Sequence, residues 1–191
     1  MLAFAAGTWT GYHANRGDVD PQNYITTVFT PYDDAISHYL SFLDKAKKSV
    51  YIAGYAYTDQ RITDRLIELK IKRHVDVHLL LDLSQTAGRS GEREMAQIDQ
   101  LRAAGIEVVI GTSEKSHQIM HDKYTVLDEL YVESGSWNYT KSANDQANTL
   151  DFIESPRRAR LFLNNWRRMH NFMQSQEADR ESGRSHRTRR R

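Results

Sequence analysis

The chain has 191 residues, 39% of them apolar and 27% charged, enough to bury one core, too few for two large domains, and unlike a fibrous or wholly disordered polymer. It contains no cysteine, which excludes a disulfide framework and a thiolate zinc site. The net charge of +1 is unevenly spread, with +3 over residues 175–191 and −2 over the remainder.

The N-terminal "MLAFAAGTWTGYHA" has no lysine or arginine to form a basic n-region, and its apolar run is interrupted too early for a secretory core or a membrane span. Residues 1–23 are expected to be an extension, and the protein to be soluble, cytoplasmic rather than exported, and without stable membrane association. From Tyr24, "YITTVFT" reads as a strand ending at Pro31. In "YDDAISHYLSFLDKAKK" the residues Ile36, Tyr39, Leu40 and Leu43 recur at helical spacing, with acids at the start and lysines at the end. A strand "SVYIAGYAYT", a second amphipathic helix from Asp59 and a strand "VDVHLLLDL" follow.

"SQTAGRSGER" reads as a polar loop, and "EREMAQIDQLRAAG" as a helix stopped by Gly105. "IEVVIG" is a further strand, and residues 119–134 read as two strands joined at "LDEL". A helix beginning near Ser136, the short apolar segment "LDFI" and a last helix with Phe162, Trp166, Met169 and Met173 facing the core complete the domain over 24–174. The alternation of strands and helices predicts an α/β fold, a layered α/β/α sandwich with a central mixed, largely parallel sheet. Residues 175–191, ending in "GRSHRTRRR", read as a disordered basic tail, either solubilising or attracted to polyanions.

The chemistry is concentrated in "HDKYTVLDELYVESGSWN". On a strand, His121 and Lys123 point to one face, two residue rises or roughly 6.6 Å apart. Gly135 permits a tight turn, Ser136 is placed to cap the expected helix, and Asn138 offers an amide in its first turn. An imidazole, an ammonium, an amide and a helix terminus together suit a phosphate. Taken singly, a His-x-Lys is most often a surface coincidence and a Gly-Ser a plain turn; the order and spacing of all six residues make the signal specific.

His121, Lys123, Asp128, Gly135, Ser136 and Asn138 fit HxK(x)4D(x)6GSxN, and on them the chain resembles the phospholipase D superfamily. Over residues 24–172 it is similar to the small bacterial endonuclease branch, whose members carry a single motif. The resemblance implies a phosphodiesterase without metal or other cofactor, acting on DNA or RNA without sequence preference through a phosphohistidine. His121, Lys123, Asp128, Ser136 and Asn138 are then the expected catalytic set, and Lys123, Gly135, Ser136 and Asn138 the phosphate-binding set. Asp128 falls at a strand end and is assigned to orientation and electrostatic support. One histidine cannot attack and protonate the leaving group at once, and the chain has one motif, so a homodimer sharing its site is expected.

One position departs from the family. Thr149 and Leu150 stand where a Glu-Asn pair is common, and Asp151 supplies a carboxylate only if the register shifts. Phospholipid or cardiolipin hydrolysis and a catalytically weak nucleic-acid-binding protein are the alternative functions. His117 and His121 four apart lack a glutamate and a third ligand for metal, and "TAGRSG" lacks the Gly-Lys-Ser/Thr of a nucleotide loop. Arg89, Arg93, Lys141, Tyr55, Tyr57 and Trp137 are candidates for substrate contact, with solvation or packing the plainer reading of each.

Overall fold

The computed structural model describes residues 24–115 and 117–188; the expected extension over 1–23 lies outside them. The elements are β1 (Tyr24–Thr30), α1 (Ala35–Leu43), β2 (Ser49–Gly54), α2 (Gln60–Arg73), β3 (Asp76–Asp82), α3 (Gly88–Ala103), β4 (Glu107–Gly111), β5 (Lys123–Leu127), β6 (Tyr131–Gly135), β7 (Asn148–Glu154) and α4 (Pro156–Thr188). Single-turn helices at Leu83–Thr86 and Lys141–Asp145 stand in two connections.

Seven strands form one sheet in the order β1-β7-β6-β5-β2-β3-β4. Only β2–β3 and β3–β4 are parallel neighbours, because α2 and α3 supply the long crossovers that parallel pairing needs. The other neighbours are antiparallel, and the sheet is mixed. Asp128 and Glu129 both have positive φ, and the Leu130 N–H donates to the Leu127 carbonyl at 2.9 Å. A tight hairpin with right-handed strand twist requires that conformation, and aspartate tolerates it better than branched residues do.

Helices cover both faces. Val50, Ile52, Val77, Leu79 and Leu81 pack beneath α1–α3, while Ala53, Leu80, Val109, Val126 and Val132 pack beneath α4 with Leu163, Trp166 and Met173. The strict alternation Leu79–Leu80–Leu81 explains why β3 reads as a continuous apolar run: it is buried on both faces. Each such leucine contributes about 1.5–3 kcal/mol of burial. Trp166 further ties α4 to the sheet by donating its indole N–H to the Ile52 carbonyl at 2.9 Å.

Two expectations are corrected. Helix α4 continues through residues 175–188, where charge composition suggested a disordered arm. Its extension meets the end of β4 and α3: the Gln176 side chain accepts the Thr112 N–H at 3.0 Å and Arg102 of α3 pairs with Glu177 at 3.0 Å. Residues 189–191 lie outside the described residues. Second, no helix begins at Ser136. Trp137 and Tyr139 are both fully buried, a two-residue periodicity that only an extended segment provides, and Tyr139 forms a parallel bridge with Tyr57.

Candidate active site

The carboxyl ends of β2, β3, β4 and β6 meet the start of β5 at one edge of the sheet, where open α/β sheets bind ligands. His121 is exposed in the loop two residues before β5, and Lys123 is the first residue of that strand, 8% exposed. Their proximity follows from the short step between them: the Lys123 ammonium donates to the His121 carbonyl at 2.9 Å. Burial lowers the Lys123 pKa, partly offset by Asp122.

Tyr55, just past β2, joins these two side chains. Its ring centroid lies 4.5 Å from that of His121, and the Lys123 ammonium sits 4.9 Å above the same ring. Gln85 donates to the Tyr55 hydroxyl at 2.8 Å, which fixes the ring's tilt. An aromatic face attracts the ammonium while leaving its remaining N–H groups for an anion. Sequence reading included Tyr55 among possible substrate contacts but not in the catalytic set; the signal available was only its place at the end of a buried strand.

The His121 loop is held from below. Asp82, at the end of β3 and fully buried, accepts the Met120 N–H at 2.6 Å and the Ser84 N–H at 2.8 Å. Glu94 of α3 accepts the Tyr57 N–H at 3.1 Å, two residues beyond Tyr55, and burial pushes its pKa up to about 7. Neither acid stood out in the sequence, since their partners lie 38 and 37 positions away.

Asn138 borders the Tyr55 segment, because the Tyr139 N–H donates to the Ala56 carbonyl at 3.1 Å. Its side-chain oxygen is buried with no hydrogen-bond partner among the described residues. Gly135 and Ser136 serve β7 instead of a helix terminus. A Cβ on Gly135 would fall 1.9 Å from the Thr149 carbonyl oxygen, so glycine is needed for strand approach. The Ser136 hydroxyl donates to the Asn148 side chain and accepts the Thr149 N–H, both at 3.1 Å. Without a helix at 136, the expected dipole contribution to anion binding is absent there.

Asp128 lies at the wrong end of β5, roughly 20 Å from His121 along an extended chain. Its carboxylate accepts the N–H groups of Lys47, Lys48 and Ser49 at 2.9, 2.8 and 2.8 Å. The expected role in orienting the site is therefore corrected to pinning the connection between α1 and β2. Asp128→Ala is expected to lower unfolding stability by about 2–4 kcal/mol, through three orphaned donors and the loss of a charged acceptor; urea unfolding at neutral pH measures it, and a change below 1 kcal/mol would contradict the assignment.

Thr149 and Asp151 share one face of β7, and Asp151 accepts the Thr27 hydroxyl at 2.6 Å. Trp137 and Tyr57 are core residues, while Arg89, Arg93 and Lys141 are exposed. Residues 117–122 form a turn and loop, so His117 and His121 do not share a helix face.

The chain matches, over residues 39–169, the family described as cardiolipin synthase, PLD-like domain. It is 33% identical over 146 residues to phospholipase D of Rickettsia prowazekii, covering 74% of this chain and 65% of that protein. A mitochondrial cardiolipin hydrolase of Chlamydomonas reinhardtii is 29% identical over 109 residues, covering 57% of this chain and 45% of that one. The crystal structure of Nuc from Salmonella typhimurium, a phospholipase D family member, superposes with a TM-score of 0.71 at 30% identity, covering 78% of this chain and 95% of that one. No described helix is long and apolar enough to cross a membrane.

Proposed function

The chain belongs to the phospholipase D superfamily, and from that premise we propose that it is a metal-independent phosphodiesterase that cuts DNA or RNA through a phosphohistidine. The observation that carries this reading is the pairing of His121 and Lys123 on the Tyr55 ring. A neutral imidazole attacks phosphorus, an N–P bond forms, and the P–O bond to the leaving group breaks. Lys123 offsets charge developing on the phosphoryl oxygens, where preorganised donors act most strongly. The leaving alkoxide takes a proton from a second imidazole, which then removes a proton from the water that cleaves the N–P bond.

That second imidazole is assigned to His121 of another copy, in a two-fold dimer sharing its site. The chain has one HxK motif, and Thr149 offers no carboxylate to orient the histidine from β7. The likeness to Nuc, which spans nearly all of that chain, favours the nuclease reading over a lipid one. Hydrolysis of a phospholipid is the second reading, favoured by the relatives named phospholipase D and cardiolipin hydrolase, of which this chain spans about two thirds and less than half.

The test is cleavage of labelled DNA, RNA and phosphatidylglycerol in parallel with EDTA present. Nucleic acid is expected to be cut and the lipid spared. A strict requirement for added divalent metal would refute the mechanism, and lipid turnover alone would select the second reading.

A further inference from the structure

Beside His121 a cavity of about 360 Å³ opens between the β4–β5 connection and α4, lined by Lys115, His121, Asp122, Asn165, Arg168 and neighbouring residues. Its two acids are answered locally: Asn165 donates to the Asp122 carboxylate at 3.2 Å, and Glu114 lies 3.8 Å from the Arg168 guanidinium. Arg168 also donates to the Asn165 amide oxygen at 2.8 Å. It is thus held toward the cavity while its side chain stays 70% exposed, so less rotamer freedom is lost when it meets an anion. Lys115 on the opposite wall is exposed.

Two of the residues lining the cavity, Asn165 and Arg168, lie on one flank of α4. Arg158, Leu161, Asn165 and Arg168 follow one another at steps of three or four residues, which places them in one row along the helix. Arg158 is exposed, and Leu161 is 62% exposed. From Pro156 to Gln176 the helix has five arginines and no acidic residue. Arg158 and Arg168 are ten residues apart, about 15 Å along the axis, beyond the reach of one phosphodiester headgroup but suited to a polymer with a phosphate at every unit. A concave cleft leading onto a helix flank also fits a flexible strand better than a flat bilayer.

We propose that this cleft and the Arg158–Arg168 flank of α4 bind the phosphate backbone of single-stranded nucleic acid as it leaves the reaction centre, with Leu161 available for base contact. The assignment rests on the phosphodiesterase reading and gives it a direction: the strand runs from His121 past Lys115 and Arg168 toward the start of α4.

Binding of a fluorescent oligothymidylate to the full chain carrying His121→Ala, followed by anisotropy from low to moderate salt, tests it. Lys115→Ala, Arg158→Ala and Arg168→Ala are each expected to reduce the slope of log affinity against log salt by about 0.7, and the triple variant by about 2, one single-strand phosphate contact apiece. The assignment stands if Arg158→Ala and Arg168→Ala both reduce the slope. An unchanged slope in either overturns it, as does tight binding to phosphatidylglycerol vesicles that the oligonucleotide fails to compete. Turnover of bis(p-nitrophenyl) phosphate by the unsubstituted protein reads the proposed chemistry without this surface, so the two fail separately.

Discussion

His121→Ala is expected to abolish nucleic-acid cleavage, with kcat falling by at least about 10⁴-fold, because in the proposed mechanism nucleophile and proton donor are the same residue in two copies and both disappear together. Lys123 and Asn138 would still bind a phosphate, so oligonucleotide affinity should change far less than turnover. The sharper form uses dimers with one substituted protomer, purified through two different affinity tags. Each of their two sites then has only one imidazole, either without its acid or without its nucleophile. Such dimers should be as inactive as the doubly substituted protein, whereas half of the normal rate would show that each protomer cuts alone.

Glu133→Gln should stabilise the protein at alkaline pH. Glu133 is fully buried at the end of a chain of hydroxyls: Tyr39 meets Thr125 at 2.7 Å, Thr125 meets Tyr139 at 3.1 Å, and Tyr139 donates to Glu133 at 3.0 Å. Burial pushes its pKa up to about 8 from an ordinary value of 4.5. The folded state therefore keeps a proton that the unfolded chain releases near pH 4.5. Stability is lost as pH rises through the window from about 4.5 to 8, by on the order of 5 kcal/mol for so large a shift, and levels off above it. Glutamine accepts the Tyr139 bond without ionising, so the variant should match the parent near pH 5 and exceed it near pH 9. Urea unfolding at both values decides the matter: parallel stability curves would mean that Glu133 does not titrate with folding.

Most strands and helices before β5 were legible because their periodicities are local, but the stretch 84–93 that reads as a polar loop is largely helical, with one turn at Leu83–Thr86 and α3 beginning at Gly88. The β3 run of Leu79, Leu80 and Leu81 could only be buried on both faces, and Gly105, at positive φ, does end α3 as its position suggested. The closeness of His121 and Lys123 was readable from their spacing, although His121 lies in the loop before β5 and not on the strand as the spacing suggested. Ser136 misled because a serine after glycine is a good helix cap by itself; the alternation of Trp137 and Tyr139 was the better signal, and it required knowing that both are buried. Non-local partners were out of reach. Nothing near Tyr55 announces that His121 and Lys123 share its ring, and nothing near Gln176 announces Thr112, which helps to hold α4 on the sheet. β7 appeared as a short apolar segment because its seven residues gain their order from β6 on one side and β1 on the other.

The three bonds from Asp128 to residues 47–49 carry a practical consequence. A lesion at this position is expected to leave the chemistry intact and to loosen the scaffold from the far end of the sheet. Its expected phenotype is temperature-sensitive: a protein that cuts at its usual rate in the cold and stops working on warming, recoverable by a stabilising change elsewhere. Variants of His121 would be dead at every temperature and beyond such rescue. Two letters of one sequence signature can therefore be told apart by a thermometer.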